Sequence, residues 1–276
     1  MGGGMARNLL DAGFPLSVYN RSREKAEPFA SDARVADSPR AAAEGADIII
    51  SMVSDDAASR AVWFGESGAL AGAAPGALLV ESSTVTVEWV RELAAAAERK
   101  GFEFLDAPVT GSKPQAAAGQ LLFLVGGSTA ALERARPVLA VMSRDIVHIG
   151  PTGSGALIKL INNFLCGVQA ASLAEALGLV EAGGLDREKA IEILLGGAPG
   201  SPMVKTLAAR MTAGDYTPQF ALRLLVKDLT YAQGEGTHRG VPLTTAAAAA
   251  ALFQRAVDAG RGDDDMSAVV ELFRGR

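Results

Sequence analysis

Two side chains that can act on one small ligand stand four residues apart in an apolar stretch. Lys159 and Asn163 lie within the run 156–182, which is apolar almost throughout and is predicted to form a long buried helix. Residues spaced i and i+4 share one face of a helix, so the ammonium and the amide project together. A lysine in such a helix can transfer a proton, or it can extend its ammonium to the surface over a buried stem. The spacing alone leaves both interpretations open.

A turn that suits a carboxylate follows the predicted strand 102–105. Thr110, Gly111 and Ser112 offer consecutive backbone N–H groups and two hydroxyls, and Pro108 stiffens the chain before them. Successive N–H groups in a turn form a concave site for an anion. The same residues also fit an ordinary tight turn between a strand and a helix, so both interpretations stand.

The first glycines are typical of the end of a dinucleotide-binding turn. Gly2, Gly3 and Gly4 run into a helical pattern that ends at Gly13. In such turns glycines let the backbone approach the pyrophosphate at the positive end of a helix. Only the last glycine of G-x-G-x-x-G can be present, as Gly2, and the apolar strand before it is absent. Three glycines near a terminus are also typical of a flexible end.

The absent strand has a physical consequence. In the doubly wound order the first strand lies at the centre of the sheet, and its omission leaves two hydrogen-bonding edges without a partner. We therefore expect the natural protein to begin upstream with an apolar strand and the missing glycines. Sequencing the N-terminus of the intact protein tests this, and a genuine start at Met1 with full cofactor affinity would disprove it.

Polar residues also follow the next strands. Asn20-Arg21-Ser22, with Arg23 behind it, replaces the acid that binds a ribose 2′-hydroxyl with groups that accommodate a 2′-phosphate, which favours NADPH over NADH. An ordinary polar strand exit is the alternative. Thr84 follows the strand 77–80 at an end where open α/β sheets bind ligands, although it could equally cap the helix from residue 87. Met52-Val53 ends the strand 46–53, and without further information an apolar pair at a strand end indicates only the hydrophobic core.

These residues are positioned by an alternation of apolar runs and helical patterns that predicts a mostly parallel α/β sheet. After His148 the strands stop, and a joint rich in glycine leads into helices, so a domain boundary is predicted near Gly150. The predicted domains are 1–150 and 151–276. The predicted strands are 16–19, 46–53, 77–80, 102–105, 121–125 and 146–149, and the predicted helices include 22–30, 87–100 and 129–142.

Composition excludes several classes of protein. The chain has 276 residues, 49% of them hydrophobic, and a formal net charge of −5, which provides no electrostatic footprint for nucleic acid or an anionic membrane. The single cysteine, Cys166, cannot form an internal disulfide, and His148 and His238 lack metal-ligand spacing. We see neither a secretory signal nor an apolar stretch that would span a bilayer, and we expect a cytoplasmic protein without a metal.

Four ordered motifs together resemble the β-hydroxyacid dehydrogenase family, which includes 3-hydroxyisobutyrate dehydrogenase and the glyoxylate and succinic semialdehyde reductases. The likeness covers essentially the whole chain. It implies a Rossmann-type cofactor domain, an all-α C-terminal domain and an active site in the cleft between them. The motifs are Met1-Gly2-x-x-Met5-Ala6-x-Asn8-Leu9, Asp106-Ala107-Pro108-Val109-Thr110-Gly111-Ser112, Gly153-x-Gly155-x-x-x-Lys159-x-x-x-Asn163 and Lys227-Asp228-Leu229.

The resemblance also implies a role for each matching residue. Lys159 becomes the catalytic proton donor and acceptor, and Asn163 holds the same substrate oxygen. Serine is usual where Thr110 stands, and threonine keeps the hydroxyl. The implied substrate-binding residues are Thr110, Gly111, Ser112, Phe220 and Asp228, and the implied cofactor-binding residues are Gly2, Met5, Asn20, Arg21, Ser22, Met52, Val53, Thr84 and Lys227.

The loop Ser112-Lys113-Pro114 is similar to that of the glyoxylate and succinic semialdehyde reductases and, with Arg21, points to NADPH-dependent reduction of a small aldehyde that carries a carboxylate. One alternative is an NAD-dependent 3-hydroxyisobutyrate dehydrogenase. An alternative of another class is a catalytically inactive dinucleotide-binding module that serves interactions. The apolar helices after residue 150 suggest a homodimer or homotetramer.

Overall fold

The computed structural model describes residues 1–274 and divides into two compact units, Met1–Lys159 and Leu160–Arg276. The division falls inside one continuous helix, so the first unit extends past the last strand. The boundary that the sequence predicts near Gly150 stays a prediction about where the domains themselves meet.

The first unit contains eight strands in two sheets. The smaller sheet pairs the first two strands in parallel, and the larger has the order β3-β4-β5-β7-β6 with β8 on β7. Strands β3, β4 and β5 are parallel, as are β7 and β8, whereas β7 is antiparallel to β5 and β6. The strands are β1 (Ser17–Val18), β2 (Arg34–Val35), β3 (Ile48–Ser51), β4 (Leu78–Glu81), β5 (Glu103–Asp106), β6 (Val109–Thr110), β7 (Leu121–Gly127) and β8 (Ser143–Gly150).

The two sheets of this unit are not joined by hydrogen bonds. Among the described strands none lies between β1 and β3, where the doubly wound order places its first strand. No strand in residues 1–274 therefore joins β1 to β3 by hydrogen bonds.

Seven helices of the first unit follow or flank these strands, and apolar residues of α1, α6 and α7 share one core with the larger sheet. The packed side chains include Leu78, Leu105, Phe123 and Leu139, all of them fully buried. The helices are α1 (Gly2–Asp11), α2 (Pro39–Ala43), α3 (Asp56–Trp63), α4 (Ala69–Gly72), α5 (Val87–Arg99), α6 (Lys113–Ala117) and α7 (Thr129–Ala140).

The second unit is helical throughout the described residues. Its core contains Leu177, Met211, Leu229 and Phe253, with Val269 from a terminal 3₁₀ segment, Met266–Leu272. The helices are α8 (Ser154–Ala182), which begins in the first unit, α9 (Arg187–Gly196), α10 (Pro202–Ala213), α11 (Leu222–His238) and α12 (Thr244–Ala256).

Helix α8 departs from two of our expectations. By length and composition it could cross a bilayer, since it has 29 residues and a mean hydropathy of 1.3 in its most apolar window, whereas we had expected no such segment. The core helix of a globular protein passes the same test, and Leu173 and Leu177 of α8 do lie in a core. Burial on all sides is also wrong, because Leu165 and Leu179 are 51% and 74% exposed.

All six predicted strands are present, with shifts of a few residues at their ends. The helix predicted over 22–30 is wrong, because this segment forms two short 3₁₀ turns, Arg23–Lys25 and Glu27–Phe29. Pro28 explains the break, since proline lacks an N–H and its ring clashes with the carbonyl of the preceding turn. The strands β2 and β6 have two residues each, too few to produce an alternating pattern.

Candidate active site

Two strand ends are held together at the carboxyl edge of the larger sheet. The backbone N–H of Val53, after β3, donates to Ser83 Oγ at 2.8 Å, and the N–H of Ser83 donates to Glu81 Oε1 at 2.8 Å. This chain of hydrogen bonds brings Met52 and Val53 beside the turn that leads to Thr84. The predicted cofactor residues from two different strands therefore lie together.

A fully buried carboxyl group, that of Glu81, anchors this edge. Glu81 Oε2 accepts hydrogen bonds from Ser59 Oγ and, at 2.8 Å, from Trp63 Nε1, and Ser59 in turn accepts one from Trp89 Nε1 at 2.8 Å. Burial raises the pKa of the Glu81 carboxyl. Sequence reasoning missed this residue, although an acid at the end of the apolar run Leu78–Val80 was a detectable signal.

Several groups at this edge fit a dinucleotide. The hydroxyls of Ser51 and Ser82 are buried, and no partner for either exists within residues 1–274. Helix α1 begins without a side-chain cap, so its first backbone N–H groups keep their capacity for an anion. A Cβ on Gly2 would lie 3.7 Å from the Met52 side chain, so the chain runs close to the end of β3 there. Met5, which the family resemblance gave as a cofactor contact, has its side chain buried in the hydrophobic core.

The two arginines after β1, Arg21 and Arg23, differ in whether they form ion pairs. Asn20 Oδ1 accepts the Ser22 N–H at 3.0 Å and so holds the turn that carries Arg21. Arg23 pairs with Glu27 at 2.7 Å and with Asp37. Arg21 is exposed and forms no ion pair with any described residue. Of the two guanidinium groups, that of Arg21 is the one left for an external anion.

Helix α5 is capped by a different threonine from the one we considered. Thr86 Oγ1 accepts the Trp89 N–H at 3.1 Å and donates to Asp56 Oδ2 at 2.6 Å. The alternative interpretation of Thr84 as the helix cap is therefore wrong. Helix α5 begins at Val87, where it was predicted, and its cap is Thr86, the residue directly before it.

The loop after β5 uses part of its polar groups internally. Thr110 pairs with Leu122 in the sheet, and Gly111 has φ +106°, a left-handed conformation that favours glycine. The N–H and the hydroxyl of Ser112 both donate to Gln115 Oε1, at 2.9 and 2.8 Å, and so begin α6. The Ser112 donors are thus engaged locally, which leaves the Thr110 hydroxyl as the one without a partner among the described residues.

Lys159 and Asn163 lie one turn apart on α8, as predicted, and both are buried, with 9% and 4% of their surface exposed. Asn163 Nδ2 donates to Asp228 Oδ2 at 2.6 Å, and Asn163 Oδ1 accepts from Asn162 Nδ2 at 3.0 Å. The carboxylate therefore determines which way the Asn163 amide points.

Helix α11 supplies the partner of Asn163 and a second lysine. Lys227 Nζ lies 2.9 Å from Asp228 Oδ1 and 4.9 Å from the centroid of the Tyr231 ring. Asp228 thus contacts both an amide and an ammonium within the second unit. Phe220, which precedes α11, packs against the core of that unit. Tyr231 was not predicted, although it lies one helical turn after Lys227.

Two family models cover nearly the whole chain. Residues 1–150 match the NAD binding domain of 6-phosphogluconate dehydrogenase, and residues 153–273 match the NAD-binding domain of NADP-dependent 3-hydroxyisobutyrate dehydrogenase. The fold agrees, because an α/β sheet is followed by helices. These matches define an NAD(P)-dependent oxidoreductase.

Relatives with assigned activities narrow this class. The NAD-dependent L-serine dehydrogenase of Pseudomonas aeruginosa is 36% identical over 99% of this chain and 94% of its own length. Glyoxylate/succinic semialdehyde reductase 1 of Arabidopsis thaliana is 35% identical over 99% and 95%. A structure of Mycobacterium tuberculosis 3-hydroxyisobutyrate dehydrogenase with L-serine has a TM-score of 0.89 at 32% identity, covering 100% and 96%. The chain belongs to the β-hydroxyacid dehydrogenase family, whose named members act on CH–OH groups of small hydroxy acids.

Proposed function

We propose that this enzyme uses NADPH to reduce a small aldehyde that carries a carboxylate, of the glyoxylate or succinic semialdehyde type, to its hydroxy acid. The observation that carries the proposal is the buried Lys159, followed one turn later by Asn163 with its amide oriented by Asp228. The bound nicotinamide supplies the hydride. The chain itself must orient the carbonyl group and deliver a proton to its oxygen.

Lys159 is the proposed general acid. Its Nζ–H donates a proton to the carbonyl oxygen during reduction, and the neutral amine accepts the hydroxyl proton during oxidation. Asn163 holds the same oxygen, because one of its two Nδ2 protons goes to Asp228 and the other stays available. Asp228 therefore acts on substrate through Asn163, so its proposed contact with substrate becomes a positioning role.

The substrate carboxylate is proposed to bind at the loop Thr110–Gly111–Ser112. Thr110 is the favoured hydroxyl donor, since the Ser112 donors are engaged with Gln115. Phe220 would supply an apolar wall. The Arabidopsis relative supports an aldehyde substrate, whereas the Pseudomonas relative supports oxidation of a hydroxy acid.

The preference for NADPH over NADH rests on Arg21, the exposed guanidinium that no described acid neutralises. Asn20 and Ser22 shape the turn that presents it. The other proposed cofactor contacts come from the start of α1, from the residues after β3 and β4, and from α11. They are Gly2, Met52, Val53, Thr84 and Lys227.

A homodimer or homotetramer is the proposed assembly. Leu165 and Leu179 on α8 and Ile193 on α9 are more than half exposed, and large apolar side chains of this kind favour an interface when they cluster. Light scattering on the purified protein tests the assembly. A monomer at micromolar concentration would contradict it.

A substrate screen tests the proposed reaction. Glyoxylate, succinic semialdehyde, methylmalonate semialdehyde and tartronate semialdehyde are assayed in the reductive direction with NADPH and NADH. L-serine and 3-hydroxyisobutyrate are assayed in the oxidative direction. The proposal expects the highest kcat/KM for an aldehyde acid with NADPH. A clear preference for 3-hydroxyisobutyrate with NAD would favour the alternative dehydrogenase instead.

A further inference from the structure

A carboxylate from the sheet caps the helix that carries Lys159. The N–H of Gly153 donates to Asp106 Oδ1 and the N–H of Ala156 to Asp106 Oδ2, each at 2.8 Å. Asp106 precedes these residues by 47 and 50 positions, whereas an ordinary helix cap directly precedes its helix. The first turn of α8 is therefore placed by β5 instead of by its own sequence.

Glycines make room for this cap on two sides. A Cβ on Gly126 of β7 would lie 2.5 Å from Asp106 Oδ1, far inside contact distance. A Cβ on Gly155 of α8 would lie 2.7 Å from the Asp106 carbonyl oxygen and 2.3 Å from that of Leu124. The backbone of β7 and that of α8 therefore both approach Asp106 closely.

The enclosure has an energetic cost that the helix offsets only in part. Asp106 is completely buried, and burial raises the pKa of its carboxyl to about 6, in spite of the hydrogen bonds from Gly153 and Ala156. At neutral pH the group is ionised, and a negative charge at the N-terminus of a helix is favoured by the helix dipole. A neutral side chain of the same shape would lose this attraction and one of the two hydrogen bonds.

Asp106 also lies directly before the loop that ends in Thr110, Gly111 and Ser112. One side chain therefore links the proposed carboxylate loop to the helix of the proposed general acid. We propose that Asp106 is a positioning residue of the reaction. It fixes the first turn of α8 against the end of β5, and hence the position of Lys159 Nζ relative to Thr110. This inference rests on the proposed function, because it assigns Asp106 an effect on the step that Lys159 performs.

The test compares Asp106→Asn with a matched cap variant. Asparagine keeps the shape but leaves either the Gly153 or the Ala156 N–H without an acceptor. A displacement of Lys159 by an ångström or less then lowers kcat by about 10- to 100-fold, while the KM for NADPH stays unchanged. Ser128→Ala removes the cap of α7, where the Ser128 hydroxyl accepts the Ala131 N–H at 3.1 Å, and is expected to lower stability without lowering kcat.

Gly126→Ala provides a second route to the same displacement, because it keeps the carboxylate and places a methyl group against it. We expect the same loss of kcat and faster amide exchange in the peptide that covers residues 153–157. Wild-type kcat and wild-type exchange in both variants would overturn the proposal. A loss of thermal stability like that of Ser128→Ala, with kcat and the KM for NADPH unchanged, would also overturn the proposal, since that result describes a purely structural cap.

Lys159→Ala is assayed alongside and separates the two proposals. If Lys159→Ala is inactive and both Asp106→Asn and Gly126→Ala are fully active, only the positioning role fails. If Lys159→Ala keeps wild-type activity, the proposed function fails, and the positioning role fails with it.

Discussion

The amide of Asn163 donates a hydrogen bond to the buried carboxylate of Asp228 across 2.6 Å, and the other oxygen of that carboxylate lies 2.9 Å from Lys227 Nζ. One acid thereby orients two of the groups that we assign to the reaction. Because both contacts are within the second unit, the arrangement belongs to α8 and α11 themselves. It explains how an asparagine side chain can present a defined N–H to a substrate oxygen.

Asp228→Ala is expected to reduce kcat by about 10-fold or more, because the Asn163 amide loses its orientation and Lys227 loses its counter-ion. Steady-state kinetics and thermal unfolding check this. Asp263→Ala is the control, since Asp263 pairs with Arg223 on an exposed surface and a surface pair contributes little. Unchanged kcat in Asp228→Ala would show that Asn163 needs no such support.

Lys159→Ala is expected to abolish turnover and to leave NADPH binding nearly intact, because proton transfer and nucleotide affinity reside in different groups. Single-turnover absorbance at the nicotinamide band and calorimetric titration with NADPH measure the two properties separately. Lys205→Ala, an exposed lysine on α10, serves as the control. Substantial turnover by the Lys159 variant would contradict the mechanism.

Arg21→Ala is expected to raise the KM for NADPH by about 10-fold or more and to leave the KM for NADH unchanged, since a charge-assisted hydrogen bond to a phosphate is lost. Arg23→Ala is the matched comparison, because its guanidinium is already paired with Glu27 and Asp37. If the Arg23 variant shows the larger effect on NADPH, the assignment of the 2′-phosphate to Arg21 is wrong.

The stability of the protein is expected to carry a pH signature of Asp106. Its pKa rises from an ordinary value of 3.8 to about 6 on folding, so the folded state binds a proton more tightly than the unfolded state. The contribution of Asp106 to the free energy of unfolding therefore falls as pH rises from about 4 to 6, by about 3 kcal/mol in total, and stays lost above that range.

Urea unfolding of the wild type and of Asp106→Asn at several pH values from 4 to 7 measures this signature. Glu81 stands opposite Asp106 in the neighbouring strand, and burial raises its pKa too, so its contribution has the same sign and is common to both proteins. Only the difference between the two curves reports on Asp106. A difference that does not change with pH would contradict the raised pKa.

Much of the molecule follows from the sequence by itself. Six of the eight strands and the helices 87–99 and 129–140 were predictable, because the spacing of apolar residues is a local property. The shared helical face of Lys159 and Asn163 is local in the same sense. The motifs also indicated the family, which the comparisons then confirmed.

Only the tertiary structure decided which polar groups are used and which remain available. The cap that Asp106 provides for α8, the bond from Asn163 to Asp228 and the buried carboxyl of Glu81 all join residues far apart in the chain. No local pattern encodes them, because each depends on where two elements meet. The lone arginine, Arg21, was likewise distinguishable from Arg23 only once Asp37 was seen to pair with the latter.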